Sequence, residues 1–212
     1  MKIIIFGNRE MAEIANFYYN FDKNEKVAAF TVNGNYLKES NFCGLPVIPF
    51  EEIEKNFDNK EYLISAPIYP SDMNVSREKI YYEIKNKGYN FYSYISTKSY
   101  IWNAEIGENA FILEGCNIQP FCKIGKNFMM WSFSHIGHHS VIDDNVFVSG
   151  HVVVAGHNKI GKNCFLGTNC STKNDISIDD FSFIGQHSSI TKNLNPNNGF
   201  WVGCPAKRIK EI

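Results

Sequence analysis

The sequence predicts an α/β domain followed by a solenoid. Two patterns predict it: short apolar, β-rich runs alternate with segments of helical spacing in the first part, and a six-residue period then runs from Ile106 to Asn195 without an insertion. The chain has 212 residues, 44% hydrophobic and 20% charged, which suits one large domain or two small ones. We expect the domains at 1–97 and 98–212, because "STKSYIWNA" at Ser96–Ala104 breaks the alternation.

Within the first part, "KIIIFG" reads as a strand closed by Gly7 and "REMAEIANFYYNF" as the helix after it. "KVAAFTV" is a second strand, "FEEIEKNF" a short helix and "EYLISA" a third strand. "SREKIYYEIKNKG" is a helix stopped by Gly88, and "NFYSYI" a fourth strand. Such alternation implies a parallel sheet covered by helices, a Rossmann-like arrangement in which ligands sit at the carboxyl ends of strands. The loops to watch are therefore "FGNRE" and "SAPIYPS". A G-x-G-x-x-G fingerprint is missing, since Asn8, Arg9 and Glu10 follow Gly7. Arg9 reads equally as a partner for phosphate or carboxylate and as a solvated residue at a helix start.

In the second part, hexads such as IGENAF, ILEGCN, IGHHSV and IGKNCF begin with an aliphatic residue, often carry Gly or Asp second, and often have Ala, Cys or Ser fifth. Each unit of such a repeat stacks on the last to bury one continuous core. Cys116, Cys122, Cys164 and Cys170 all take the fifth place, which reads as buried small hydrophobes rather than reactive thiols. With Cys43 and Cys204 they form no C-x-x-C pair, so neither a zinc knuckle nor a thioredoxin-type motif is present.

A formal net charge of −1, from 21 Lys and Arg against 22 Asp and Glu, gives no electrostatic basis for binding nucleic acid or an anionic membrane. Apolar runs such as "VFVSGHVVVAG" are far too short for a bilayer span. No basic, apolar leader precedes the first strand, so the expected location is the cytoplasm.

The hexads resemble those of the left-handed parallel β-helix, in which three hexads make one triangular coil. Together with the Rossmann-like domain and the closing "GFWVGCPAKRIK", they resemble the hexapeptide-repeat bacterial sugar acetyltransferases. That family includes UDP-amino-sugar N-acetyltransferases and sialic-acid-type O-acetyltransferases. The resemblance implies homotrimers with active sites in grooves between neighbouring β-helices, acetyl-CoA as donor, no metal cofactor, and a nucleotide-sugar acceptor held by the N-terminal domain. It also implies a catalytic histidine at His138, followed at His139 by a histidine where relatives have a carboxylate. An imidazole suits the removal of a proton from an attacking amine or hydroxyl.

By the same correspondence Phe147, Gly156, Thr168 and Gln186 contact the coenzyme, Gly167 and Gly185 leave room for its pantetheine arm, and Lys207 with Arg208 meets its phosphates or forms a solvated basic tail. The acceptor is expected at Asn8, Arg9, Glu10 and His157.

Placed on the repeat, the aliphatic residues are expected at the corners of the coil, and His138 and His139 on a flat side. Residues eighteen apart stack, which sets His139, His157 and Asp175 in one column and Phe133, His151, Asn169 and His187 in another. Alternation of side chains along a strand and the spacing of coils argue against a zinc site among the histidines. The expected activity is N-acetylation of a nucleotide-linked amino sugar for surface glycan synthesis. O-acetylation of a sugar hydroxyl is the rival within enzymes, and a noncatalytic scaffold the rival outside them.

Overall fold

The structure, a computed structural model, describes residues 2–211. It divides into two compact units, one made of Met1–Tyr69 and Arg77–Tyr94 and the other of Pro70–Ser76 and Ile95–Ile212.

The first unit is a sheet with helices. Its elements are β1 (Lys2–Phe6), α1 (Glu10–Lys23), β2 (Val27–Val32), β3 (Asn41–Phe42), β4 (Leu45–Pro49), α2 (Ile53–Asn56), β5 (Tyr62–Ser65), α3 (Val75–Asn86, entering from the other unit) and β6 (Asn90–Phe91). Strand order is β3-β4-β2-β1-β5-β6, parallel throughout except for the β3–β4 hairpin. The hairpin and β4 were not expected from the sequence, and the fourth expected strand shortens to Asn90–Phe91. Cys43 and Gly44, with φ of 50° and 77°, form a two-residue turn of the kind that suits the twist of a hairpin. β1 runs through the centre with Ile3, Ile4 and Ile5 fully buried, because both faces of a parallel sheet are covered. The chain order of parallel strands reverses on either side of β1, so the carboxyl ends of β1 and β5 form a switch point.

The second unit is a three-sided parallel β-helix and fits the left-handed hexapeptide solenoid. Each hexad supplies a two-residue strand from its sixth place and the next hexad's first place, and strands pair in parallel with those eighteen residues away, as Phe111 with Met129 and His135 with Val153. One side carries Phe111, Met129, Phe147, Phe165 and Phe183. A second carries Asn117, His135, Val153, Ser171 and Ser189, and the third Lys123, Val141, Lys159 and Ser177.

The aliphatic first places, among them Ile118, Ile136, Val154 and Ile184, fill the interior from the strands. They do not make the corners as expected. Third and fourth places make the corners, and the fourth bends the chain in the left-handed region: Asn127, His139, Asn145, His157 and Asn163 all have φ near +60°. Asn, Asp and His tolerate that conformation better than other residues with a Cβ.

Inside one corner Asn109, Asn127, Asn145 and Asn163 pass amide hydrogen bonds from coil to coil at 2.7, 2.8 and 3.1 Å. The ladder ends on the Pro70–Ser76 segment, where Asn163 donates to the Met73 carbonyl and Asn74 donates to the Asn163 and Cys164 carbonyls. The four fifth-place cysteines are buried as expected. Burial pushes the Cys164 and Cys170 thiols up to about 12.

Candidate functional site

His138 and His139 occupy a corner of the β-helix, not a flat side, because they are the third and fourth residues of their hexad. The turn is pinned by its neighbours. The His138 N–H donates to Gln119 Oε1 at 3.0 Å, the His139 N–H to the Pro120 carbonyl, and the His157 N–H to the His138 carbonyl. The left-handed residue at His139 cancels the alternation that a strand would impose, so both rings point to the same region. Their Nδ1 atoms are 3.1 Å apart and their rings nearly perpendicular at 87°.

Stacking brings a third ring to this corner. His139 lies on His157 with centroids 4.9 Å apart and planes 12° from parallel, as the eighteen-residue column requires. His138 meets His157 edge-on at 5.0 Å. One ring nitrogen from each of His138, His139 and His157 lies within 4.8 Å of the others, and all three residues are exposed. This overturns the geometric case against convergence of the histidines, which assumed strand alternation at what is a turn. Asp175 continues the column on the next coil, its N–H bound to the Gly156 carbonyl. In the other column Phe133 stacks on His151 at 5.6 Å. His135 is a strand residue, half-buried, and burial holds its pKa below the ordinary range.

Gly156 explains how His138 fits. It lies directly beneath His138 in the third-place column, and a Cβ there would stand 2.9 Å from both Cε1 and Nε2 of His138. The Gly156 N–H is held by Asn174 Oδ1 at 3.1 Å. Gly156, expected as a coenzyme contact, is in this structure the floor on which the His138 ring rests.

The proton between the two Nδ1 atoms has two possible homes. If His138 carries it and donates, His139 accepts through a neutral Nδ1 and His138 keeps a free lone pair at Nε2. If His139 donates instead, His138 is protonated at Nε2 and has no base to offer. Only the first arrangement makes His138 a proton acceptor beside Gly156. In that arrangement His139 accepts at Nδ1 and fixes the orientation of the His138 ring.

The remaining expected coenzyme residues lie apart from this corner in the single chain. Thr168 and Gln186 are third-place residues of the next column pair, on the corner shared with His151 and His187, where Thr168 Oγ1 meets Ser149 Oγ at 2.8 Å. Phe147 is buried on a flat side in a ladder with Phe165, Phe183 and Phe200. For Gly167 and Gly185 the β-helix itself supplies a reason. A Cβ on Gly167 would lie 2.6 Å from the Ile184 carbonyl oxygen, and one on Gly185 2.5 Å from Val202 Cγ1. Lys207 opens an exposed strand that pairs antiparallel with Gly199–Val202, and Arg208 lies 3.9 Å from Glu211.

In the first unit, Gly7 ends β1 with φ of 132°, a conformation that L side chains rarely adopt, and its N–H bonds to the Thr31 carbonyl. Arg9 caps α1 through its carbonyl and leaves its exposed side chain at the switch point, with Glu10 beside it and Asn8 Nδ2 within 3.5 Å of the Tyr36 carbonyl. The sequence reading missed Glu51. Both its carboxylate oxygens accept from the Gly34 N–H at 3.0 Å, which puts an acidic group beside the loop after β2. No local motif marks it, because Glu51 arrives from beyond β4.

No family model matches the chain, and no curated protein matches it. Solved structures do. The acetyltransferase domain of PglB from Neisseria gonorrhoeae, in complex with acetyl coenzyme A, is 15% identical with a TM-score of 0.86, over 98% of each chain. A mutant of perosamine N-acetyltransferase from Caulobacter crescentus, in complex with CoA and GDP-perosamine, is 17% identical with a TM-score of 0.89, over 100% of this chain and 98% of that one. WeeI from Acinetobacter baumannii is 22% identical with a TM-score of 0.84, over 99% of this chain and 100% of that one. The chain therefore shares, over nearly its whole length, the fold of hexapeptide-repeat sugar acetyltransferases.

Proposed function

We propose that the protein is an acetyl-CoA-dependent N-acetyltransferase acting on a nucleotide-linked amino sugar, in the synthesis of a surface glycan. The observation that carries this reading is the His138–His139 pair on a corner whose floor, Gly156, lacks a side chain. Acetyl-CoA is the donor, held by Thr168, Gln186 and the backbone around Gly167 and Gly185, with Phe147 on the adjoining side and Lys207 toward the phosphates. His138 Nε2 takes the proton that the acceptor amine loses as its nitrogen bonds to the acetyl carbonyl carbon. The C–S bond then breaks, and the proton leaves with the coenzyme thiolate as thiol. Such a base contributes roughly 10²–10⁴-fold.

The first unit, with the strand order of a Rossmann-like domain, holds the nucleotide. Asn8, Arg9 and Glu10 stand at its switch point, and Glu51 supplies a carboxylate for a ribose hydroxyl. His157 faces the acceptor beside the catalytic pair.

A homotrimer completes the site. His138 and the Thr168–Gln186 set occupy different corners of one chain, so they meet only when one chain's first corner faces another's second. The side between those corners carries Tyr100, Phe121, Phe133 and Val153 at 62, 57, 60 and 44% exposure. An apolar run of this extent marks a contact surface, and a threefold axis along that side brings the two corners together. None of the helices among the described residues is long and apolar enough to cross a membrane, and we place the reaction in the cytoplasm.

The test is incubation with acetyl-CoA and a panel of nucleotide-linked amino sugars and neutral sugars, with products weighed by mass spectrometry and treated with hydroxylamine. A hydroxylamine-resistant acetyl group on an amino sugar is expected. A labile ester would replace N- by O-transfer, and neither acetyl-CoA binding nor any product would leave a scaffold.

A further inference from the structure

We propose that His138, His139 and His157 form a binding site for a borderline divalent transition ion such as Zn²⁺, and that occupancy switches the transferase off. Three imidazoles converge with no carboxylate among them, and one ring nitrogen of each lies within 4.8 Å of the other two. Tetrahedral zinc with bonds of about 2.0–2.1 Å holds nitrogens roughly 3.3 Å apart. The two Nδ1 atoms of His138 and His139, at 3.1 Å, already have that spacing. His157 is stacked on His139 with planes 12° apart, so its ring must turn out of the stack to aim a nitrogen at the same point, and its exposure on a corner leaves room for that turn. Imidazole donors select zinc, copper, nickel or cobalt over magnesium and calcium. The three ligands leave a fourth position open to water or to a thiolate.

The consequence for catalysis follows from the tautomers, and it rests on His138 being the base. A metal between the two Nδ1 atoms takes the place of the shared proton. His138 then carries its one proton on Nε2, the atom that must accept from the amine. No proton is gained or lost overall when both rings start neutral; the His138 proton moves from one ring nitrogen to the other through water. The base is removed without displacing either substrate.

The site itself is tested by binding, independent of turnover. Untagged, chelator-stripped protein is titrated with Co²⁺, read as the visible spectrum of tetrahedral cobalt, and with Zn²⁺ in competition with a chromophoric chelator. One ion per chain is expected, with affinity at least tenfold weaker in His157→Gln and in His139→Gln, and no response to Mg²⁺. No tetrahedral spectrum, or affinity unchanged in both variants, overturns the site. Turnover is followed separately by loss of thioester absorbance. Saturating Zn²⁺ is expected to abolish it and a chelator to restore it. Full turnover at saturation would overturn the switch while leaving the site, whereas metal-free protein that binds Co²⁺ but acetylates nothing would overturn the proposed function and leave the site standing.

Discussion

Substituting Gly156 with alanine separates the catalytic geometry from the fold. The new Cβ would stand 2.9 Å from Cε1 and Nε2 of His138, whereas uncompressed carbon contacts lie at about 3.5–4.0 Å. The ring must therefore retreat by roughly 0.6 Å or more. It can do so cheaply, because His138 is exposed and the ring is the far end of its side chain. Gly156 has no positive φ, so alanine adds no backbone strain there, and the loss of glycine's freedom in the unfolded chain favours folding by about 0.4–1 kcal/mol. The variant should melt at or slightly above the wild-type temperature. Its kcat should fall roughly 10- to 100-fold, since misplacement of a reacting group by about 1 Å costs up to 10²-fold. Steady-state turnover with acetyl-CoA and the accepted amino sugar measures this, alongside the same change in His138→Ala. In that background Gly156→Ala should add almost nothing to kcat, because the group it displaces is gone. An unchanged kcat, or equal losses in both backgrounds, refutes the role given to Gly156.

Three further outcomes follow from the same geometry. His139→Asp keeps a hydrogen-bond acceptor beside His138 Nδ1 and should largely retain turnover, whereas His139→Phe removes it and should lower kcat roughly 10-fold or more; equal kcat in the two variants contradicts the pairing. Alkylation of the native protein should label Cys43 and Cys204 alone, because Cys116, Cys122, Cys164 and Cys170 are buried and their burial raises the pKa of each; peptide mapping before and after denaturation checks this. Asn145→Ala removes the middle of the amide ladder at a residue with φ of 61°, and denaturant titration should show a loss of about 2–4 kcal/mol.

Much of the β-helix was legible because its physics is periodic. The first place of each hexad is almost always aliphatic and the fifth is buried with it, often as Ala, Cys or Ser, so the register from Ile106 onward can be read without any long-range information. The corner was misread for a specific reason. Asn109, Asn127, Asn145, His139 and His157 recur at the fourth place, and that preference for residues tolerant of positive φ is the sequence signal of a turn. Assigning the turn to the aliphatic first place put His138 and His139 on a strand, where neighbours diverge, and hid their meeting with His157.

In the first unit, the strands that fill the buried centre were legible as apolar runs. The hairpin at Asn41–Pro49 was not, since two prolines and a Cys-Gly turn read as loop. Glu51 shows the remaining limit: its carboxylate reaches Gly34 across seventeen residues of chain, and no local pattern encodes such a contact.

The most direct measurement is the kcat of His138→Ala, against wild type, with the amino-sugar nucleotide that the protein acetylates. The account predicts a loss of roughly 10²–10⁴-fold with an intact fold and unchanged acetyl-CoA binding. Wild-type turnover in the alanine variant would show that the proton goes elsewhere and that the corner is not the catalytic centre.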